Sequence, residues 1–118
     1  LMKPIESLRG EILHLANPVP ILPSHNADGV EDSLTFTALA ARKLADLVER
    51  LELLVAFELV AGAQAVDLAR PAAIGTRLEA VRQKVRRGPP FLDEDRPVAK
   101  EVTALAALVR SGGLESSE

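Results

Sequence analysis

The stretch LLVAFELVAGAQAV, residues 53–66, decides the fold class of this chain. Its only charged residue is Glu58, so a helix formed here is apolar on nearly every side. The stretch is too short, and too interrupted by Glu58 and Gln64, to be a membrane span. It therefore predicts a helix that other helices surround, as in an all-α bundle.

These residues form the second half of one long predicted helix, from about Ser33 to Ala69, with Asp32 as its N-cap. The first half is amphipathic, and its apolar face consists of Leu44, Val48, Leu51 and Val55. Such a helix extends roughly 55 Å. A compact chain of 118 residues has a radius of gyration of only about 13 to 14 Å. We therefore expect the long helix to pack against other chains, or against parts of a larger protein.

A shorter helix and a long loop are predicted before it. The helix covers about residues 4–15, where apolar residues recur at helical spacing: Ile5, Leu8, Ile12 and Leu15. The loop covers residues 17–31 and contains three prolines and Gly29, which prevent regular structure. Loops of this length inside compact domains are usually functional.

A third helix is predicted at about residues 77–87. Thr76 and Glu79 have the spacing of a capping box at its start. Its expected inner face consists of Leu78, Val81 and Val85.

A fourth helix is predicted at about residues 98–110, with Pro97 in its first turn and Gly112-Gly113 closing it. Its expected inner face consists of Val102, Leu105 and Val109. No stretch of the sequence alternates well enough to predict a strand.

Composition narrows the possible functions. The chain has no Cys, Tyr or Trp, which excludes disulfides, thiolate metal sites and several common catalytic bases. His14 and His25 are far apart in sequence, so no metal site is expected.

The net charge of −3 gives no reason to expect nucleic-acid binding, and the basic run from Arg82 to Arg87 is interpreted as a solvated helix end. No signal peptide or membrane span is visible, so we expect a soluble, cytoplasmic protein.

Three polar residues of the long helix are assigned structural roles. Glu58 and Gln64 lie in the most apolar stretch, where a buried carboxylate or amide needs a partner. We expect them to be hydrogen-bonded or ion-paired in a subunit interface, and Asp67 is also assigned a structural role.

Four blocks of sequence then follow one another in order: HNADGVEDSLTFTALAARKL (25–44), AFELVAGAQAVDLARP (56–71), FLDEDRPVAKEV (91–102) and ALVRSGGL (107–114). Together they resemble the C-terminal part of the aromatic amino-acid ammonia-lyases, most strongly the histidine-acting members. The resemblance extends from about Gly10 to Leu114.

The resemblance implies an all-α, fumarase-like superhelical fold in a homotetramer whose long helices form a central bundle. It also implies elimination of ammonia from an amino acid, as in histidine catabolism. The family uses a methylidene-imidazolone (MIO) electrophile, which forms autocatalytically from Ala-Ser-Gly, and a tyrosine base from an N-terminal loop.

This chain contains neither Ala-Ser-Gly nor any Tyr. We therefore interpret it as a C-terminal fragment, with Leu1-Met2 as an arbitrary start and no catalytic residue or cofactor of its own. Its expected partners are the N-terminal part, further copies of itself and a small amino-acid substrate.

The resemblance also places the polar stretch before the long helix in the substrate pocket. Histidine-acting members typically carry Asn-Gln-Glu-Asp-His there, and this chain has Gly-Val-Glu-Asp-Ser, residues 29–33. Glu31 and Asp32 match this motif, whereas the glutamine and histidine do not. A second register, suggested by phenylalanine-acting relatives, would place His25 and Asn26 in the pocket.

Two further interpretations stay open. The chain could belong to the related aminomutases, or it could be a helical self-association module that kept the bundle and lost the chemistry. From the residues alone, Glu31 and Asp32 are better explained as helix-capping groups than as pocket residues.

Overall fold

The structure is a computed structural model that describes residues 2–19, 27–31, 35–69 and 73–114. These ranges contain four α-helices: α1 (Met2–Leu15), α2 (Thr37–Ala69), α3 (Thr76–Arg86) and α4 (Ala99–Arg110), and one turn of 3-10 helix at Ala27–Gly29. No strand occurs within them, and no helix there combines the length and apolarity that a membrane crossing requires. The molecule measures 70 × 36 × 21 Å, with a radius of gyration of 20.0 Å. The elongated, all-α architecture expected from the sequence is confirmed.

Helix α2 organises the molecule. It has 33 residues and is therefore about 50 Å long. One side of its second half is buried by α1, α3 and α4, and the α2 residues of this core are Ala56, Phe57, Val60 and Ala63. The other helices contribute Leu8 from α1, Val85 from α3, and Val102, Leu105 and Ala106 from α4.

The opposite side of α2 is left exposed in the part of the chain that the structure describes. We call the apolar residues along it the outer face, which consists of Leu44, Val48, Leu51 and Val55. All four are exposed, although their spacing is that of a packed helix stripe. Soluble monomers rarely leave a continuous apolar row uncovered, so the outer face is suited to contact with another polypeptide.

The long helix begins at Thr37, four residues later than predicted. Residues 35 and 36 are not helical, and Phe36 has a φ of 51°, outside the right-handed helical region. The carbonyl of Phe36 accepts hydrogen bonds from the N–H groups of Leu39 and Ala40 in the first turn of the helix, each at 2.9 Å. The predicted N-cap, Asp32, lies outside the described residues, and the residue that precedes the helix is Phe36.

The starts of the two short helices also differ from prediction. The N-cap of α3 is Gly75 and no side chain caps it, so the predicted capping box of Thr76 and Glu79 is wrong. The N-cap of α4 is Val98, which leaves Pro97 just before the helix and outside its first turn. Gly112 ends α4 as expected, with a φ of 70° that favours glycine.

The predicted inner faces of α3 and α4 need one correction each. In α3, Val85 is buried and Val81 half-buried, but Leu78 is 65% exposed. In α4, Val102 and Leu105 are buried as predicted, whereas Val109 is only half-buried. The third buried residue of this helix is Ala106.

Candidate functional site

The described part of the chain does not form a pocket from the residues that were predicted to line one. Glu31 is exposed, two positions after the end of the 3-10 turn. His25, Asn26 and Asp32 lie outside the described residues. The structure therefore places one of the four and leaves their grouping as a prediction.

The turn before Glu31 has an unusual backbone. Ala27, Asp28 and Gly29 all have positive φ, at 49°, 54° and 86°, and the N–H of Val30 donates to the carbonyl of Ala27 at 3.0 Å. Left-handed φ values are uncommon outside glycine, and such conformations concentrate at functional sites. The Asp28-Gly29 pair is a known turn signal that the sequence interpretation did not use.

The best-formed polar group in the described residues lies instead between α2 and α3. Four side chains form it, Gln64 and Asp67 from α2 and Arg82 and Arg86 from α3, and we call them the polar clamp. Gln64 and Asp67 are three residues apart, which places both on one face of the helix. The clamp holds α3 and the segment that follows it against α2.

Gln64, which was expected to bond in a subunit interface, instead binds the main chain of a residue of its own chain that is 28 positions away. Its Nε2–H donates to the carbonyl of Leu92 at 2.8 Å, and the N–H of Leu92 donates to its Oε1 at 3.1 Å. The side-chain amide thus satisfies both backbone groups of one residue, as a neighbouring strand would.

Arg86 is the centre of the clamp, with only 13% of its side chain exposed. Nε donates to Asp67 Oδ2 at 2.8 Å, and Nη2 contacts the same oxygen at 2.6 Å and Gln64 Oε1 at 3.2 Å. Nη1 donates to the carbonyls of Pro89 and Pro90 at 3.0 and 2.9 Å. Every nitrogen of the guanidinium is therefore engaged, which suits its planar set of donors.

Arg82 completes the clamp. It donates through Nη1 to Asp67 Oδ1 at 2.7 Å, and through Nε and Nη2 to both oxygens of Glu79 at 2.9 and 2.8 Å. The hydrogen bond from Arg82, with a weaker one from Gln83, lowers the pKa of Glu79 to about 2. Reciprocally, the bond to Glu79 raises the pKa of Arg82 above its ordinary value. The basic run is thus not simply solvated as predicted, because Arg82 and Arg86 are ion-paired to α2.

A shallow apolar groove of about 360 Å³ runs beside the clamp between α2 and α3. Glu58 and Arg82 stand at its border, and its walls include Leu59, Val66 and Ile74. Glu58 is exposed in the single chain, so its expected partner in a subunit interface remains a prediction. Among the described residues, no group of three or more metal-ligating side chains lies close enough together to hold an ion.

The chain matches a family of known proteins along most of its length. The family model described as Aromatic amino acid lyase matches residues 2–87. The histidine ammonia-lyase of Sorangium cellulosum (strain So ce56) is 34% identical over 108 residues, which are 92% of this chain and 21% of that protein. The histidine ammonia-lyase of Anaeromyxobacter sp. (strain K) is 33% identical over 101 residues, 86% of this chain and 20% of that protein. The chain spans about one fifth of the length of these relatives.

Solved structures agree with this match. The crystal structure of histidine ammonia-lyase from Trypanosoma cruzi has a TM-score of 0.83 at 28% identity, with 92% of this chain and 22% of that chain covered. Ergothionase from Treponema denticola has a TM-score of 0.81 over the same share of each chain, and at 24% identity this likeness concerns the fold alone.

Proposed function

Because this chain belongs to the aromatic amino acid lyase family, we propose that it is the C-terminal segment of a histidine-like ammonia-lyase. The observation that carries the proposal is identity of 34% sustained over 92% of the chain to a histidine ammonia-lyase. The proposed reaction of the whole enzyme removes the α-amino group as ammonia together with a β-proton, and leaves an α,β-unsaturated acid. This segment supplies part of the pocket and of the subunit contacts.

The electrophile and the base of that reaction must come from elsewhere in the enzyme. An MIO group forms from Ala-Ser-Gly, and this chain contains no such triplet and no Tyr. Its residues therefore do not fit the formation of that group, and we assign no chemical step to it. We propose that the segment alone is inactive.

Glu31 is the proposed contribution of this segment to the pocket. It is exposed beside a left-handed turn, so its carboxylate is free to face a substrate bound by other parts of the enzyme. A fixed anion there would orient a substrate ammonium group or a polar ring, and proton abstraction would remain with the tyrosine.

The outer face of α2 supports the proposal that the working enzyme is a multi-chain assembly, for which we propose a cytoplasmic location. Its four apolar side chains are exposed in the single chain. Burying them in a contact with another chain would stabilise that contact by about 25 cal/mol for each Å² of apolar surface removed from water. Copies of this chain, together with the N-terminal part, are the proposed partners at this face.

A chimaeric enzyme tests the proposed function. The matched region of the Sorangium cellulosum histidine ammonia-lyase would be replaced by this chain, and histidine turnover would be followed by the ultraviolet absorbance of the acrylate product. We expect activity from the chimaera and none from the 118-residue chain alone. Turnover by the isolated chain, or a folded, assembled chimaera without activity on histidine, phenylalanine or tyrosine, would contradict the proposal.

A substrate panel tests the histidine preference separately. Val30 and Ser33 stand where histidine-acting members typically carry glutamine and histidine. Replacing both in the chimaera, Val30→Gln with Ser33→His, should raise kcat/KM for histidine relative to phenylalanine. An unchanged ratio would show that these positions do not select the substrate.

A further inference from the structure

We infer that α3 and the segment after it, residues 87–92, form one detachable flap that the polar clamp locks onto α2. We call residues 87–92 the strap. This inference rests on the contacts within the chain and is independent of the proposed lyase function.

The apolar hold on the flap is small. Val85 is the one residue of α3 that belongs to the buried core, and Leu78, on the predicted inner face, is 65% exposed. In the strap, Pro89 is buried, whereas Phe91 is 45% exposed. By contrast, α2 and α4 contribute four and three buried residues to a shared core. The flap therefore contributes fewer buried residues to the core than α2 or α4 does.

The flap is held to α2 by an extensive network of hydrogen bonds and ion pairs. Asp67 accepts from Arg82 through one oxygen and from Arg86 through the other, at 2.7 and 2.8 Å. With 19% of its side chain exposed, Asp67 is shielded enough for these charge-assisted bonds to act strongly. Removing this one carboxylate would leave Arg82 without a partner on α2 and Arg86 with only the amide oxygen of Gln64 there, which costs more than losing an exposed pair.

The clamp also joins α3 to the strap, so the two should open together. Arg86 lies in the last turn of α3 and donates to Asp67 on one side and to the Pro89 and Pro90 carbonyls on the other. Gln64 anchors Leu92 and also accepts from Arg86. A break at either α2 residue is therefore transmitted through Arg86 to both parts of the flap.

Opening of the flap would change the molecule beyond the flap itself. The groove between α2 and α3 would lose one wall, and the core side of α2 next to Val85 would become accessible. Regions that open at low free-energy cost are the usual source of regulated or ligand-responsive motion.

Hydrogen–deuterium exchange on the 118-residue chain tests the inference. In Asp67→Asn, which keeps the side-chain volume, amides of residues 76–92 should exchange about tenfold faster, while those of α1 and α4 change little. Glu52→Gln is the matched control, because Glu52 is a carboxylate of α2 that pairs with α4 through Arg110, at 2.6 Å. It should leave exchange in residues 76–92 unchanged.

A second variant tests the coupling. Gln64→Leu removes the anchor of Leu92, and we expect faster exchange in α3 as well as in the strap. Acceleration confined to residues 91 and 92 would overturn the single flap. Unchanged exchange of residues 76–92 in Asp67→Asn, or equal acceleration in all four helices, would overturn the clamp as its lock.

Discussion

Glu31 shows how one residue can serve either the fold or the chemistry. Its position shortly before α2 favours a carboxylate on electrostatic grounds alone, because helix N-termini carry partial positive charge. The helix begins only at Thr37, however, so Glu31 is six residues from the first helical residue and too far to act as its cap. The late start of α2 thus strengthens the proposal that Glu31 contributes to the pocket.

The first prediction follows from that distance. Glu31→Gln in the active chimaera should lower kcat/KM by at least about tenfold, or 1.4 kcal/mol, with little change in melting temperature. Kinetics and thermal unfolding would be measured on the same preparation. Unchanged turnover with a lowered melting temperature would assign Glu31 to the fold instead.

Glu79 gives a second prediction, on pH dependence. Its pKa is lowered from 4.5 to about 2 by the hydrogen bond from Arg82. A carboxylate with a depressed folded-state pKa contributes stability that is fully present above the unfolded-state value, near 4.5, and lost as the pH falls toward 2. The wild type should therefore exceed Glu79→Gln in melting temperature above about pH 5, and the gap should close on acidification. A gap that stays constant down to the acid limit of folding would show that protonation of Glu79 is not involved.

At the scale of helices, apolar periodicity located the main features of the fold. The run from Leu53 to Val66 predicted a helix packed on several sides, and its buried residues lie within that run. The boundary at Phe36 was missed, because a positive φ at a phenylalanine has no signature in apolar spacing. The predicted capping box failed for a related reason, since Glu79 pairs with Arg82 and Gln83 instead of reaching back to the helix start.

The polar clamp could not have been predicted from local pattern. Gln64 meets Leu92 and Asp67 meets Arg86 across 28 and 19 positions, and such pairs depend on how α3 folds back along α2. What the sequence did indicate was the need for partners at polar residues within an apolar helix. The substrate pocket could not be predicted in full for a different reason. The family resemblance implies a pocket built from several parts of the enzyme, of which this chain is expected to supply only one.

Two glycines give a third prediction, on helix ends. Gly112 ends α4 with a φ of 70°, whereas Gly10 lies inside α1, where a Cβ would meet no atom of the described residues within 4 Å. Gly112→Ala should destabilise the chain by about 1 kcal/mol, and Gly10→Ala should stabilise it by about 0.5 to 1 kcal/mol. Denaturant unfolding of both variants checks the pair, and equal effects of the same sign would contradict the left-handed geometry at Gly112.

The whole molecule is more extended than a compact chain of its length. Its largest dimension is 70 Å. Its radius of gyration is 20.0 Å, whereas a compact chain of its length is expected to have a radius of gyration of roughly 13 to 14 Å. Its longest helix buries one side in its own core and leaves the outer face exposed. An extended scaffold with one apolar side is suited to a bundle in which several chains cover one another.

The final prediction concerns this assembly and uses two leucines that are alike except in position. Leu44, on the outer face, and Leu13, on α1, are both 61% exposed in the single chain. If copies of the chain associate through the outer face, Leu44→Glu must bring a carboxylate into an apolar contact and should weaken association by at least about tenfold. Leu13→Glu adds the same charge away from that face and should leave association unchanged. Light scattering at micromolar concentration measures the mass, and circular dichroism checks that both variants stay helical. A wild-type chain that is a stable monomer, or equal loss of association in both variants, would show that the outer face is not where copies of this chain meet.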